Sequence, residues 1–421
     1  MRTLVLITSN FPFGTGETFI GSEFPFISES FDKTLVIAQN IREKQTRETP
    51  GNVSVYRYNT ATSFLGFISF PVILLKNSVT INNLFKEEVS FRKSSGKHLT
   101  IGNLSALFKK IIKAIQLRDY IADILKKENL DASIVFYSYW LKTGAHAISM
   151  LNYPKSIKIA RAHGSDIYEE KTLTRFLPLL KFTALNMNAI FFVSADGKEY
   201  FEKKVDLQNP RFIVSRLGVS KPDFEASELK KSERFVIVSC SNMVPLKRID
   251  LIIKALEIVS SEKKIEWLHF GDGALRSELE DLAANRLQHP DKISYRFMGH
   301  FPNDELLKFY SSSKVDLFIN TSSTEGVPVS IMEAQCFGIP VIATDTGGVR
   351  EIVTSETGSL MSTDFAVEDL AELIKHYTGL SYDETETIRI NSINNWNSHF
   401  NAVSNYTDFI IKVNSILVPV I

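Results

Sequence analysis

Cysteine is nearly missing from this chain: Cys240 and Cys336 are the only two in 421 residues. Two thiols without metal-ligand spacing make neither a disulfide framework nor a zinc site. Both are expected as buried free thiols in a reducing compartment. An excess of one charge is missing too. Lys plus Arg number 48 and Asp plus Glu number 48, so the electrostatic signature of a nucleic-acid binder is absent and no nucleic-acid partner is expected. No apolar run reaches the roughly 20 residues that span a bilayer. The opening MRTLVLITSNFPFG has one basic residue and a short apolar run before Pro12. It reads as a first strand, not a signal peptide.

What is present belongs to a globular protein: 44% hydrophobic and 23% charged residues. The length exceeds one ordinary core, so two domains are expected. In the first half, short apolar runs at Leu4–Thr8, Thr34–Ala38, Val53–Tyr58, Ala132–Tyr137, Ile157–Ala160 and Ala189–Ser194 read as strands. In the second half, Phe235–Cys240, Trp267–Phe270, Arg296–Met298, the run from Val315 and Val341–Thr344 do the same. Helical patterns separate them, which predicts an α/β chain of two doubly wound parallel sheets. The polar stretch 220–233, KPDFEASELKKSER, reads as the linker. The expected domains are therefore 1–220 and 221–390. The tail 391–421 carries Trp396, Phe400, Tyr406, Phe409 and Ile410 at roughly helical spacing.

The stretch Val315 to Glu333 says most about chemistry. VDLFIN reads as a buried strand, TSSTEG as a loop, and VPVSIME opens a helix that stops at Gly338 and Pro340. Pro328 suits a first helical turn because it has no N–H to leave unpaired. The amides of Gly326, Val327 and Val329 lie at the helix N-terminus, a natural seat for phosphate. Glu325 sits at the loop tip and Glu333 about two turns into the helix. A carboxylate inside the helix can accept from paired hydroxyls such as a ribose diol, and one at the tip can accept from a sugar. The bland alternative makes Glu325 a helix-terminal charge and Glu333 a solvated face.

Other strand ends add candidates. Gly14 and Gly16 follow the first strand and Gly271 and Gly273 follow Trp267–Phe270, where glycine allows close backbone approach to a ligand. Glu17 and Glu23 are equally readable as the start of the next helix. His163 follows a strand and precedes Gly164, at the carboxyl edge where open α/β sheets bind ligands. Asp166 reads as a cap for the next helix. Lys247 precedes a helix with Ile249, Ile252, Ile253 and Leu256 on its apolar face, so it can project as a point charge for phosphate. Its neighbour Arg248 is either a second charge or a solvated residue.

With those residues in place, the run EGVPVSIMEAQCFGIPVIATDTGGVREIV resembles the E-x7-E region of glycosyltransferase family 4, retaining enzymes of the GT-B fold. The likeness covers most of 235–353 closely and the first half loosely, and is strongest to members that build bacterial surface polysaccharides. The resemblance implies two Rossmann-like domains facing across a cleft, the first on the acceptor side, the second binding the donor, and a C-terminal segment 391–421 packing back on the first. It implies sugar transfer from a nucleotide diphosphate sugar, UDP- or GDP-linked, to a hydroxyl acceptor such as a lipid-linked saccharide, with retention at the anomeric carbon. It implies roles for His163 and Glu325 at the donor sugar, Lys247 at the diphosphate and Glu333 at the ribose. Gly347, Gly348 and Glu351 resemble the family's second glycine loop. The family's Arg at the donor site corresponds to Asn242 here, a departure that leaves Arg248 as the stand-in. No Asp-x-Asp triplet is present, so transfer without metal or cofactor is expected. A nucleotide-sugar epimerase of the same fold and a non-catalytic binding partner are the alternatives.

One further stretch bears on location. FLGFISFPVILL, residues 64–75, lies beside a segment holding Lys93, Lys97, Lys109, Lys110 and Lys113. An apolar stretch next to a basic one suits the surface of an anionic membrane, hence peripheral attachment at the cytoplasmic face. The other reading is a buried helix followed by a solvated amphipathic one.

Overall fold

The computed structural model describes residues 2–14, 16–39, 43–59, 71–130, 134–172, 174–209, 211–222 and 234–417. The expected strand start at 132–133, most of the expected linker (223–233) and residues 64–70 of the apolar stretch lie outside them. The chain divides into a first unit, 1–215 with 406–421, and a second unit, 216–405.

The first unit is built on a seven-stranded sheet ordered β3-β2-β1-β4-β5-β6-β7. Its strands are β1 Thr3–Thr8, β2 Lys33–Gln39, β3 Val53–Tyr58, β4 Ile134–Ser138, β5 Ile157–Ala162, β6 Ala189–Phe192 and β7 Phe212–Val214. The second unit's six-stranded sheet runs β10-β9-β8-β11-β12-β13. These are β8 Phe235–Cys240, β9 Ile265–Phe270, β10 Ile293–Gly299, β11 Leu317–Asn320, β12 Val341–Thr344 and β13 Gly358–Met361. All pairings are parallel. Helices cover both faces of a parallel sheet, which is why β1 (TLVLIT) and β11 (LFIN) are buried along their whole length and read as apolar runs, not alternations. In each sheet the strand order reverses once, between β1 and β4 and between β8 and β11. Open parallel sheets bind ligands beyond the carboxyl ends at such a reversal.

The tail divides differently from the expectation. Residues 391–405 stay with the second unit, where Trp396 Nε1 donates to the Val219 carbonyl at 3.1 Å. Only the helix Ala402–Leu417 from Tyr406 onward belongs to the first unit. There Phe409 packs edge-on against Phe191, ring centroids 4.8 Å apart. Aromatic spacing gave both halves the same helical signature, and the break between them, after His399, carries no proline or glycine to mark it.

A buried charge cluster ties the first unit's helices together. Arg92, on the helix Ser78–Ser94, bonds Glu88 Oε1 and Glu169 Oε1, each at 2.6 Å. Glu169 Oε2 takes Lys204 at 2.7 Å and Lys97 at 2.9 Å, so Lys97 is not a free surface charge. Burial pushes the Glu169 carboxyl up, but Lys204, the Leu177 amide, Arg92 and Lys97 overcome it and hold it at about 2. A folded value below the ordinary 4.5 stabilises the fold above that pH, and the contribution is lost as pH falls from 4.5 toward 2. The expected size is roughly 3 kcal/mol. Urea midpoints should fall steeply between about pH 5 and pH 3. Glu169→Gln should be less stable at pH 7 and should flatten that slope. An unchanged slope in the variant would assign the acid sensitivity elsewhere.

Candidate functional site

The second unit's reversal point gathers the residues of the Val315–Glu333 stretch. Where β11 ends, Thr321 Oγ1 donates to the carbonyls of Lys247 (2.9 Å) and Arg248 (3.0 Å), and the Ser323 amide donates to the Leu246 carbonyl (2.8 Å). The loop after β8 is thereby fastened to the loop after β11. Fastening brings Lys247 Nζ to 2.6 Å from Glu325 Oε1, with Asn320 Nδ2 on the same oxygen at 3.3 Å. The Lys247 and Glu325 side chains are 24% and 11% exposed, so the pair is accessible but partly desolvated.

Beyond Glu325 the chain passes Gly326 and Val327, turns at the buried Pro328 and enters the helix Val329–Cys336. The first amides of a helix have no partner inside it, so this end presents N–H groups beside the ammonium. Glu333 lies inside that helix, 6% exposed, its Oε1 accepting from Asn303 Nδ2 at 2.7 Å. Burial raises its pKa against that hydrogen bond. It is therefore no solvated helix face. Asn303 starts the helix Asn303–Ser312 and went unnoticed in the sequence, where it reads only as a helix-start residue.

Glycines 347 and 348 buttress this loop. A Cβ on Gly347, which sits at φ 57°, would fall 2.2 Å from the Glu325 carbonyl, and the Gly348 amide donates to the Gly326 carbonyl at 2.7 Å. Glu351 follows and pairs with Arg216 at 3.1 Å, so it is more than a helix-terminal charge.

Two expectations change. Arg248 is neither a solvated residue nor a spare cation. Its backbone is left-handed (φ 47°), which turns the side chain away from Lys247. Its guanidinium donates to the Thr321 carbonyl (2.7 Å), the Thr363 carbonyl (2.6 Å) and Thr344 Oγ1 (3.2 Å), and lies 5.0 Å over the Phe365 ring. It braces strand ends, so it does not replace the cation missing at the exposed Asn242. Gly271 and Gly273 are also explained by packing. A Cβ on either would sit 1.9 Å from the Ser241 carbonyl or 2.6 Å from the Met243 carbonyl. The neighbouring backbone demands these glycines before any ligand does.

The first unit's reversal point holds the other candidates. Gly14, at φ 63°, faces Glu43, and the Gly16 carbonyl accepts from Arg47 Nη2 at 2.8 Å. His163 is 8% exposed, its ring centroid 4.5 Å from Trp140 and 5.2 Å from Tyr139. Burial lowers its pKa to about 4, outweighing Asp166, so the ring is neutral near pH 7. Its Nε2 has no hydrogen-bond partner among the described residues. Asp166 does more than cap: it accepts from the Leu141 amide (2.9 Å) and pairs with Lys142 (3.0 Å). Glu17 does not cap its own helix. Its carboxylate turns back onto the end of β1 and the Trp140 indole. Glu23 is buried against Arg161. Trp140 was the residue the sequence hid best, its one signal being its place two residues past a strand at the sheet's reversal.

Residues 220–386 match the family described as Glycosyl transferases group 1. The chain is 28% identical over 173 residues to the GDP-mannose-dependent monoacylated alpha-(1-6)-phosphatidylinositol monomannoside mannosyltransferase of Corynebacterium glutamicum, a stretch that covers 38% of this chain and 43% of that protein. The chain thus spans less than half the length of this curated relative. Among solved structures, it superposes on the sucrose-phosphate synthase of Thermosynechococcus elongatus with a TM-score of 0.71 at 13% identity, covering 99% of both chains. It superposes on Anabaena HepE in complex with UDP with a TM-score of 0.65 at 16% identity, covering 99% of this chain and all of the other. The fold is that of GT-B glycosyltransferases: two parallel α/β sheets with flanking helices.

Proposed function

We propose that this chain is a retaining, metal-independent glycosyltransferase that moves a sugar from a nucleotide diphosphate sugar to a hydroxyl acceptor. One observation carries the reading: Lys247, Glu325 and the N-terminus of the helix Val329–Cys336 meet at the reversal of the second sheet, with Glu333 buried in the same helix. The leaving group is an anion, and the barrier falls when fixed donors meet its developing charge. Lys247 and the helix amides supply those donors. Glu325 takes the donor sugar, Glu333 the ribose diol, and the neutral His163 accepts from a sugar hydroxyl. The second unit is the donor domain and the first the acceptor side. A donor carrying UDP or GDP is favoured by the relative that uses GDP-mannose and the neighbour solved with UDP.

The acceptor we favour is a lipid-linked saccharide of bacterial surface polysaccharide synthesis, met at the cytoplasmic face of the membrane. The relative named for a monoacylated phosphatidylinositol monomannoside supports a lipid acceptor. So do the exposed Val72, Leu75, Val79 and Ile101 beside the exposed Lys76, Lys86 and Lys93. No helix among the described residues is long and apolar enough to cross a membrane, and attachment of this kind needs none.

The deciding experiment is a thermal-shift series with UDP, GDP, ADP, CMP and their sugar conjugates, with and without EDTA. A ligand at 100 times its Kd should add about 2.7 kcal/mol of stability. One nucleoside diphosphate should shift the protein selectively and without regard to EDTA, and the product's anomeric configuration should match the donor's. No shift with any of them, or an inverted product, sinks the reading. Flotation with anionic but not neutral liposomes tests the membrane part, and no co-migration would remove it.

A further inference from the structure

Four N–H donors converge on the Glu17 carboxylate at the end of β1. The Ser9 amide reaches Oε1 at 3.1 Å, and the Asn10 and Phe11 amides reach Oε2 at 2.6 and 2.7 Å. The fourth donor is the Trp140 indole, on Oε1. Glu17 reaches this position from a left-handed backbone, φ 55°, that a residue with a side chain rarely adopts.

The loop after β1 has further ties. Residues 43–47 already brace it: Phe13 bridges Gln45, the Gly14 amide donates to the Lys44 carbonyl (3.2 Å), the Thr46 amide donates to the Pro12 carbonyl (3.2 Å), and Arg47 bonds the Gly16 carbonyl. Glu17 also makes the tie to Trp140, 123 residues away and two residues past β4, the strand across the reversal. Trp140 carries the tie onward. Its ring packs against His163 at 4.5 Å, tilted 42°, and Lys142 Nζ lies 4.9 Å over the same indole, itself held by Asp166 at 3.0 Å. The Tyr139 backbone favours the protonated His163 ring and partly offsets the burial that lowers its pKa. Nε2 has no partner among the described residues, so the tautomer that fits is the one with the proton on Nδ1, on the side the Tyr139 backbone favours. The lone pair then sits on Nε2, a buried acceptor whose complement is a hydroxyl.

We propose that Glu17 is a positioning residue for sugar transfer: its carboxylate holds Trp140, and the Trp140 ring holds His163 with its Nε2 lone pair offered to a sugar hydroxyl. The inference rests on the transferase reading for its kinetic arm only. A purely structural Glu17 would affect melting and leave the state of His163 alone.

The test is a double-mutant cycle with a spectroscopic arm. Glu17→Gln keeps the shape but cannot accept from all four donors, and Trp140→Phe keeps the ring but removes the indole N–H. Each should lower kcat about tenfold while the donor KM stays within about twofold, the split expected when a group acts on the transition state. In a His163→Ala background the further loss should vanish, because the residue acted through is gone. Factors that multiply instead would overturn the proposal. In the long-range 1H–15N spectrum of histidine-labelled protein, assigned with His163→Ala, His163 should show the Nδ1–H tautomer in the wild type. Glu17→Gln should convert it to a mixture, and an unchanged signal would overturn the proposal even in a variant that is slow. A wild type without turnover would sink the transferase reading, and the spectrum would still decide the role of Glu17.

Discussion

Replacing Lys247 with Met should lower the rate of the proposed sugar transfer by about two to three orders of magnitude, the usual consequence of removing one well-placed donor to a developing anion. Met keeps the stem of the side chain and deletes its charge. The fold should tolerate the change. The Lys247–Glu325 pair is partly exposed, and pairs of that kind contribute about 0–1 kcal/mol. Melting within a few degrees of wild type, with transfer nearly gone, is therefore the expected combination. Full transfer in a folded Lys247→Met would remove the site from consideration. The partner variant has a split outcome with opposite signs. Without ligand, Glu325 engages the ammonium at 2.6 Å. A diphosphate bound as proposed would compete with Glu325 for that charge, so Glu325→Gln should bind the nucleoside diphosphate as tightly as wild type or more tightly. It should still transfer sugar about a hundredfold more slowly, because under the proposed role the donor sugar loses its carboxylate. Titration of the diphosphate and single-turnover transfer on one preparation separate the two effects. Equal losses in both would mean that Glu325 serves only to hold the loop.

The contrast between Lys247 and Arg248 shows what the sequence can and cannot reveal. The places of Lys247, Glu325 and Glu333 in the fold were legible because each stands in a loop after a strand or inside the helix that follows, and those places follow from apolar runs and from the Gly and Pro that end them. The backbone then has one direction in which to send them. Arg248 has the same charge and adjacent numbering, yet its left-handed φ of 47° sends it to the Thr321, Thr344 and Thr363 ends. No local pattern announces that turn, since non-glycine residues adopt it only where tertiary contacts hold them there. The role of Gly271 and Gly273 was obscured for a related reason. A Gly-x-Gly after a strand signals a close approach, but whether by a ligand or by the Ser241–Met243 backbone depends on a loop some 30 residues away. The Glu17–Trp140 and Asn303–Glu333 contacts were hidden by range alone, because one sequence records no pairing.

Range also hides the contact whose loss should cost the first unit most stability. Glu23 and Arg161, separated by 138 positions, form an ion pair at 2.9 Å with both side chains fully buried. Tyr137 Oη lies between them, donating to Glu23 Oε1 at 2.8 Å and accepting from Arg161 Nε at 2.8 Å. Arg161 Nη1 donates to the Ser215 carbonyl at 2.9 Å, and the guanidinium sits 4.6 Å over Phe409 of the C-terminal helix. One buried cation thus ties β5, the chain beyond β7 and the last helix to the rest of the unit. Glu23→Ala strands that cation without its counter-charge, which costs about 3–5 kcal/mol. For a unit of this size each kcal/mol lowers Tm by about 2–4 °C, so a fall of at least about 6 °C is expected. Replacing both partners, as in Glu23→Leu with Arg161→Met, should restore much of that loss, because apolar groups of similar volume often match a buried pair. The comparison discriminates between two accounts. If the double variant melts as low as Glu23→Ala, the cost lies in lost packing and in the Ser215 and Phe409 contacts, not in an unpaired charge. If the single variant barely changes, water reaches Arg161 and the cluster is not a dry anchor.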